Sequence, residues 1–178
     1  MYWNYGPGGN FFYRDNFVYH NNRRYMPVDD YYRSVRELAR DVPQIDPQEA
    51  ERMEWAPLGV FAATRENETE SHRALQLTAN REGVITGTYF NEEQDRVRPI
   101  LGRVDEQSQR AAWTFADGEQ DHIVFETSVY NLTRSESDMM VHFGPSAAQT
   151  EVWRLVRLEQ PDVGASSPAG GERDRDVP

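Results

Sequence analysis

A chain of 178 residues with 38% hydrophobic and 12% aromatic content can bury one ordinary core, which predicts a single compact domain with flanking segments. The 30 acidic residues outnumber 19 basic ones for a net charge of −11, which disfavours nucleic acid as a partner because phosphate affinity rests on cation contacts. All 19 cations are Arg and Cys is absent, which excludes Schiff-base lysines, a phosphate-loop Lys, disulfides, thiolate nucleophiles and Cys-ligated zinc.

The first 50 residues form a region of their own. Eleven of the 21 aromatic residues fall within the first 32 positions. The opening MYWNYGPGGN has no basic stretch followed by an apolar one and does not read as a signal peptide. FFYRDNFVYHNN predicts a hairpin with arms Phe11–Tyr13 and Phe17–Tyr19 around Arg14, Asp15 and Asn16. PVDDYYRSVRELARDVP predicts a helix capped by Asp29 or Asp30 and ended by Pro43, with Tyr31, Val35, Leu38 and Val42 on its apolar face. Aromatics interleaved with Arg23 and Arg24 suit a stacking platform for single strands or sugars. Six Arg against seven acidic residues through position 50 favour instead a hairpin and helix laid on the larger domain, or a tether to a partner.

From residue 51 to about 160 the texture changes to short β runs. These are APLGVFAAT, RALQLTA, GVITGTYF, VRPILGRVD, QRAAWTFA, HIVFETSVYNL, MMVHFG and TEVWRLVRL. Short links between eight strands predict a mainly β fold, an antiparallel up-and-down barrel preceded by the hairpin and helix. Alternation groups Ala111, Trp113 and Phe115 on one face and Ile85, Gly87 and Tyr89 on another. On the last strand Trp153 and Leu155 oppose Val152, Val156 and Leu158, so its outer face calls for a cover, either the N-terminal segment or another subunit. Residues 161–178, rich in Pro, Gly and Ser, predict a disordered tail. No apolar run reaches the roughly 18 residues of a membrane span.

Chemistry-bearing residues are sparse. His122 and His142 sit on predicted neighbouring strands and can approach each other or Glu126, but no tight His spacing supports a metal site. Glu126 interrupts an apolar strand. Turned inward, it calls for an Arg such as Arg103 or for a ligand; turned outward, it is solvated polarity. NEEQD and ENETE lack the oxygen spacing of a calcium loop. Asn67-Glu68-Thr69 and Asn131-Leu132-Thr133 match the short glycosylation pattern. No nucleophile signature accompanies the Ser residues, so neither catalysis nor a cofactor is expected.

The succession GVITGTYF, ILGRVD, AAWTFADG and TEVWRLVRL resembles the strands of the avidin and streptavidin family over roughly 100 residues, in the sense of even strand spacing. That resemblance implies an eight-stranded calycin-type (lipocalin-like) barrel, often oligomeric, with Tyr89 and Trp153 at two of the family's ligand positions. The family's biotin partners do not carry over. Pro57 and Val60 fall where its Asn and Ser donors belong, and Asp117 falls where a cage Trp belongs. The late acidic acceptor is missing unless Asp162 reaches back past Pro161. EWAPLGVFA, QRAAWTF, ETSVYNLT and MVHFG, with the aromatic hairpin and helix, also resemble an uncharacterised family of bacterial secreted or cell-surface proteins, which implies an extracytoplasmic setting. Two functions follow as expectations. One is a non-enzymatic barrel engaging a second copy or a protein partner. The other is a barrel mouth holding a small, partly apolar ligand on Tyr89, Trp113, Phe115 and Glu126, with Trp153 added by the resemblance.

Overall fold

A computed structural model describes residues 2–4, 10–43, 45–119, 122–144 and 149–159 of the chain. The predicted tail and Asp162 lie outside the described residues.

Four short antiparallel strands open the chain in sequence order, β1 (Tyr2–Asn4), β2 (Asn10–Arg14), β3 (Phe17–His20) and β4 (Arg23–Pro27). The two turns joining the last three are Asp15-Asn16 and Asn21-Asn22, with φ of 51°, 63°, 52° and 63°. Asn and Asp tolerate this left-handed region, and a two-residue turn of that hand matches the twist of the strands it joins. The expected hairpin is thus present, but Asn21-Asn22 starts a further strand that carries no alternating pattern to announce it.

Helix α1 (Val28–Arg40) follows directly. Pro27 occupies the cap position with no side-chain cap bond, so Asp29 and Asp30 sit in the first turn rather than at the cap. Their charge still suits the positive end of the helix. The buried face is Tyr31, Tyr32, Val35 and Ala39, shifted from the expected one. Leu38 is only half-buried, and Val42 lies past the helix end. Tyr32 is drawn in because its ring centroid lies 5.3 Å from that of His142 and its hydroxyl donates to the Gly144 carbonyl. A single turn, α2 (Pro47–Ala50), leads to the barrel.

The barrel strands are β5 (Trp55–Arg65), β6 (Arg73–Asn80), β7 (Val84–Asn91), β8 (Arg96–Asp105), β9 (Arg110–Phe115), β10 (Val124–Ser128), β11 (Glu136–His142) and β12 (Thr150–Arg157). Each pairs antiparallel with the next, and β12 closes on β5, giving the eight-stranded up-and-down topology expected from the link lengths. The run HIVFETSVYNL is strand only through Ser128; residues 131–133 form a 3-10 turn. Asn131 is buried on that turn, its amide donating to Thr127 Oγ1 and to the Asp138 carbonyl, so the second glycosylation match is a packed structural residue.

Phe61, Leu75, Ile85, Ile100, Trp113 and Phe125 fill the interior, each at most 1% exposed. Closing so many large side chains into a narrow ring forces small residues elsewhere. A Cβ on Gly102 would lie 2.1 Å from the Ala112 carbonyl oxygen and 2.5 Å from Trp113 Cβ. The lower end is plugged by Leu132, and Arg157 closes it by donating to the Leu58 carbonyl at 2.8 Å and to the Leu132 carbonyl.

Outside, the two halves of the barrel differ. Ala112, Val124 and Met140 on β9–β11 pack against Phe11, Val18, Tyr31 and Val35 of the N-terminal sheet and helix. Each such buried side chain contributes about 1.5–3 kcal/mol for the larger ones, enough to dock the module firmly. Val152 packs at its margin, so part of the apolar outer face of β12 is covered as expected, while Val156 and Leu158 stay 37% and 44% exposed. On the other half, across β5, β6, β7 and the first part of β8, no helix or strand among the described residues packs on the outer wall, while α1 reaches the end of β8, where Arg103 bonds Asp41. One cross-strand row there reads Val156, Ala62, Ala74, Phe90, Val97. The next two rows read Val60, Gln76, Thr88, Pro99 and then Thr78, Thr86, Leu101, so none of the three carries a charge.

Candidate functional site

The upper end of the barrel is open. The inward alternation of β7, β9, β10 and β12 brings Tyr89, Phe115, Phe125 and Trp153 to the base of a cavity of about 440 Å³. The rings interlock. Phe125 lies edge-on to Phe115 and to Trp153, with centroids 5.4 and 6.4 Å away, and Tyr89 is edge-on to Phe115 at 5.4 Å. These offset contacts hold the floor rigid. Burial lifts the Tyr89 hydroxyl above its ordinary pKa, partly offset by the charges of Arg73 and Arg65.

Three arginines line the same cavity, Arg65 at the end of β5, Arg73 at the start of β6 and Arg98 on β8. Their inward positions follow from strand parity, and their charge is tolerated because each meets a carboxylate and a ring. Arg98 grips Asp117 through two 2.7 Å bonds, from Nε to Oδ2 and from Nη2 to Oδ1, and its guanidinium carbon sits 3.4 Å from the Phe115 ring centre. Arg73 Nη1 donates to Glu68 Oε2 at 2.6 Å, and Arg65 Nε lies 3.2 Å from Glu151 Oε2. Both approach the Trp153 ring, at 5.2 and 5.3 Å. Glu151 also accepts the Trp153 indole N–H at 2.7 Å. The Arg98 bonds hold the Asp117 carboxyl at about 2, well below its ordinary value. Asn91 lines the cavity beside them, and its Oδ1 is buried without a hydrogen-bond partner among the described residues.

A second cluster lies beneath the N-terminal module. Glu126 points out of the barrel, yet it is fully buried because α1 covers it. Its Oε1 accepts the Tyr31 hydroxyl at 2.5 Å, its Oε2 lies 3.1 Å from His142 Nε2, and Arg110 Nη1 is 3.8 Å from Oε1. An ionised carboxylate only accepts, so His142 Nε2 carries the proton, and the Thr150 hydroxyl, 2.9 Å from Nδ1, completes the ring's bonding. Burial opposes charge on Glu126, but His142 and Arg110 outweigh it and hold the carboxyl below its ordinary value. Burial, reinforced by Glu126, raises the Tyr31 hydroxyl well above its ordinary value. The cluster fastens the module to the barrel, with no lining in common with the mouth.

Of the five residues expected to line a ligand site, Tyr89, Phe115 and Trp153 meet at the mouth. Trp113 lies one layer deeper, stacked on Phe125 at 6.1 Å between centroids, and does not line the cavity. Glu126 is corrected on both counts, since it neither faces the interior nor meets solvent, and its cation is Arg110. Arg103 instead bonds Asp41 at 3.0 Å. His142 does approach Glu126, whereas His122 is exposed, and no group of three or more metal-ligating side chains occurs among the described residues. The sequence reading missed Arg65, Arg73, Arg98 and Asn91, although their inward parity was available as the signal. Two larger grooves outside the barrel, of about 800 and 700 Å³, each have a single aromatic among their described lining residues.

No family model matches the chain, and searches of curated proteins and of solved structures return no match. What stands from the avidin-type resemblance is the closed eight-stranded antiparallel barrel, with no family attached to it.

Proposed function

We propose that the protein is a binding module, not a catalyst, whose barrel mouth takes a small, partly apolar molecule. The cavity of about 440 Å³ over the Tyr89, Phe115, Phe125 and Trp153 rings carries this reading, because binding sites are concave and of that size, and here an aromatic floor meets a wall of convergent polar groups, among them Arg65, Arg73, Asn91 and Arg98. Trp153 is the reporter. On titration with 2-naphthol and 2-naphthoate, binding at the mouth shifts the indole N–H resonance of Trp153 while that of Trp55, outside the cavity lining, stays in place. A Trp153 signal unmoved by millimolar concentrations of either compound refutes the proposal.

A second reading is favoured by the uncharged outer wall, which supports association with a second copy of the chain. Two molecules of charge −11 repel least where they meet through a surface without charges. Phe90 and Val97, 38% and 64% exposed and paired across β7 and β8, form its most prominent part. Sedimentation velocity should then detect a dimer that Phe90→Glu abolishes. A monomer at every concentration up to several hundred micromolar refutes it. The resemblance to secreted and cell-surface proteins supports an extracytoplasmic setting for either role.

A further inference from the structure

We infer that the mouth selects a small organic anion with a flat apolar body, such as an aromatic carboxylate; this inference rests on the mouth-binding reading above. Its described lining contains three arginines and one carboxylate, Glu93, in a chain whose acids outnumber its cations 30 to 19. Glu151, Glu68 and Asp117, which pair with Arg65, Arg73 and Arg98, are not among the lining residues, while Glu93, which is, lies 3.5 Å from Arg73 Nη2. A guanidinium carries five N–H groups, and one carboxylate engages at most two of them. In Arg65 the contact with Glu151 is made by Nε. Glu151 therefore fixes Arg65 without using up its donors, as a site for a planar, two-oxygen anion requires, whereas Arg98 is held more fully, donating to the Glu119 carbonyl as well as to Asp117.

The rings set the other half of the specificity. Arg98 lies flat against Phe115 while Arg65 and Arg73 flank Trp153, so donors and aromatic faces alternate around one small volume. A flat ring placed on that floor brings a carboxylate on its edge to the guanidiniums. The anchoring carboxylates also determine how selection works. With Glu68, Glu93, Asp117 and Glu151 all close by, the neighbourhood has no net positive charge. It therefore cannot draw anions from a distance. Discrimination acts at contact, through charge-assisted hydrogen bonds, and should depend weakly on salt.

Isothermal titration calorimetry with 2-naphthoate, neutral 2-naphthamide and cationic 2-naphthylmethylamine tests this. The carboxylate should bind about tenfold or more tighter than the amide, the value of one charge-assisted hydrogen bond, and the ammonium should bind weakest. Arg65→Gln, at the most exposed of the three side chains, should erase most of that preference while near-UV circular dichroism stays native. Equal affinity for carboxylate and amide overturns the anion inference while leaving a mouth site intact. Failure of all three compounds to bind overturns both. Should Arg65→Gln misfold, the wild-type ratio of carboxylate to amide affinity still decides the matter.

Discussion

Replacing Glu126 by Gln is the sharpest test of how the N-terminal module is held. The substitution keeps the volume, so packing against α1 is preserved and the change is electrical. One oxygen becomes an amide group that points a donor at either the Tyr31 hydroxyl or His142 Nε2, both of which now donate to Glu126. Those two can adapt, the first by rotating its hydroxyl and the second by changing tautomer. Arg110 cannot. Its side chain is 10% exposed and would lose its buried carboxylate, while contacts such as Ser34 Oγ at 3.3 Å and the face of Tyr31 at 5.3 Å do not replace that charge. Removing one member of a buried pair costs about 3–5 kcal/mol, and the 3.8 Å separation argues for the lower end, about 3. Against a typical total of about 5–15 kcal/mol, that is a large fraction. Urea unfolding followed by tryptophan fluorescence reads the loss, and proteolysis between α1 and β5 reports whether the module detaches first. The double variant Glu126→Leu with Arg110→Met removes both charges and should recover more than half of the loss. A cost below 1 kcal/mol for Glu126→Gln, or a double variant worse than the sum of the singles, would refute the reasoning.

Three further outcomes follow from the barrel. Gly102→Ala forces a Cβ into the β9 backbone and should cost more than 3 kcal/mol or prevent folding; a midpoint within 1 kcal/mol of the parent would mean the strands spread easily. Asp117 titrates at about 2 when folded against 3.8 otherwise, so its pair with Arg98 stabilises fully above pH 4 and is lost as pH falls through about 2. Asp117→Asn should therefore flatten that acid limb in pH-dependent unfolding, and an unchanged limb counts against the pair. Trp113 buries an indole N–H with no partner among the described residues, a penalty of about 1–3 kcal/mol. Trp113→Phe relieves it while leaving a small cavity, so denaturation should find a net change within about 1 kcal/mol, and a loss above 3 would imply a hidden acceptor.

Strand identity and facing were legible in the sequence because both depend on a period of two residues. GVITGTYF turns Tyr89 inward, QRAAWTFA turns Trp113 and Phe115 inward, and TEVWRLVRL turns Trp153 inward, all as alternation requires. Short links likewise dictated that neighbours in sequence become neighbours in the barrel. Local chemistry went further in the turns, where Asp15-Asn16 marks a tight reversal. What the tertiary structure alone decided was which outward residues are covered and which inward residues find partners. Glu126 is buried by Tyr31, 95 residues earlier in the chain, so no local pattern distinguishes it from solvated polarity. Arg65, Arg73 and Arg98 read as ordinary charges at strand ends until barrel closure gathers them around one cavity with their carboxylates behind them. Periodicity is a property of neighbouring residues, whereas burial, ion pairing and cavity volume belong to segments that meet only once the chain has closed on itself.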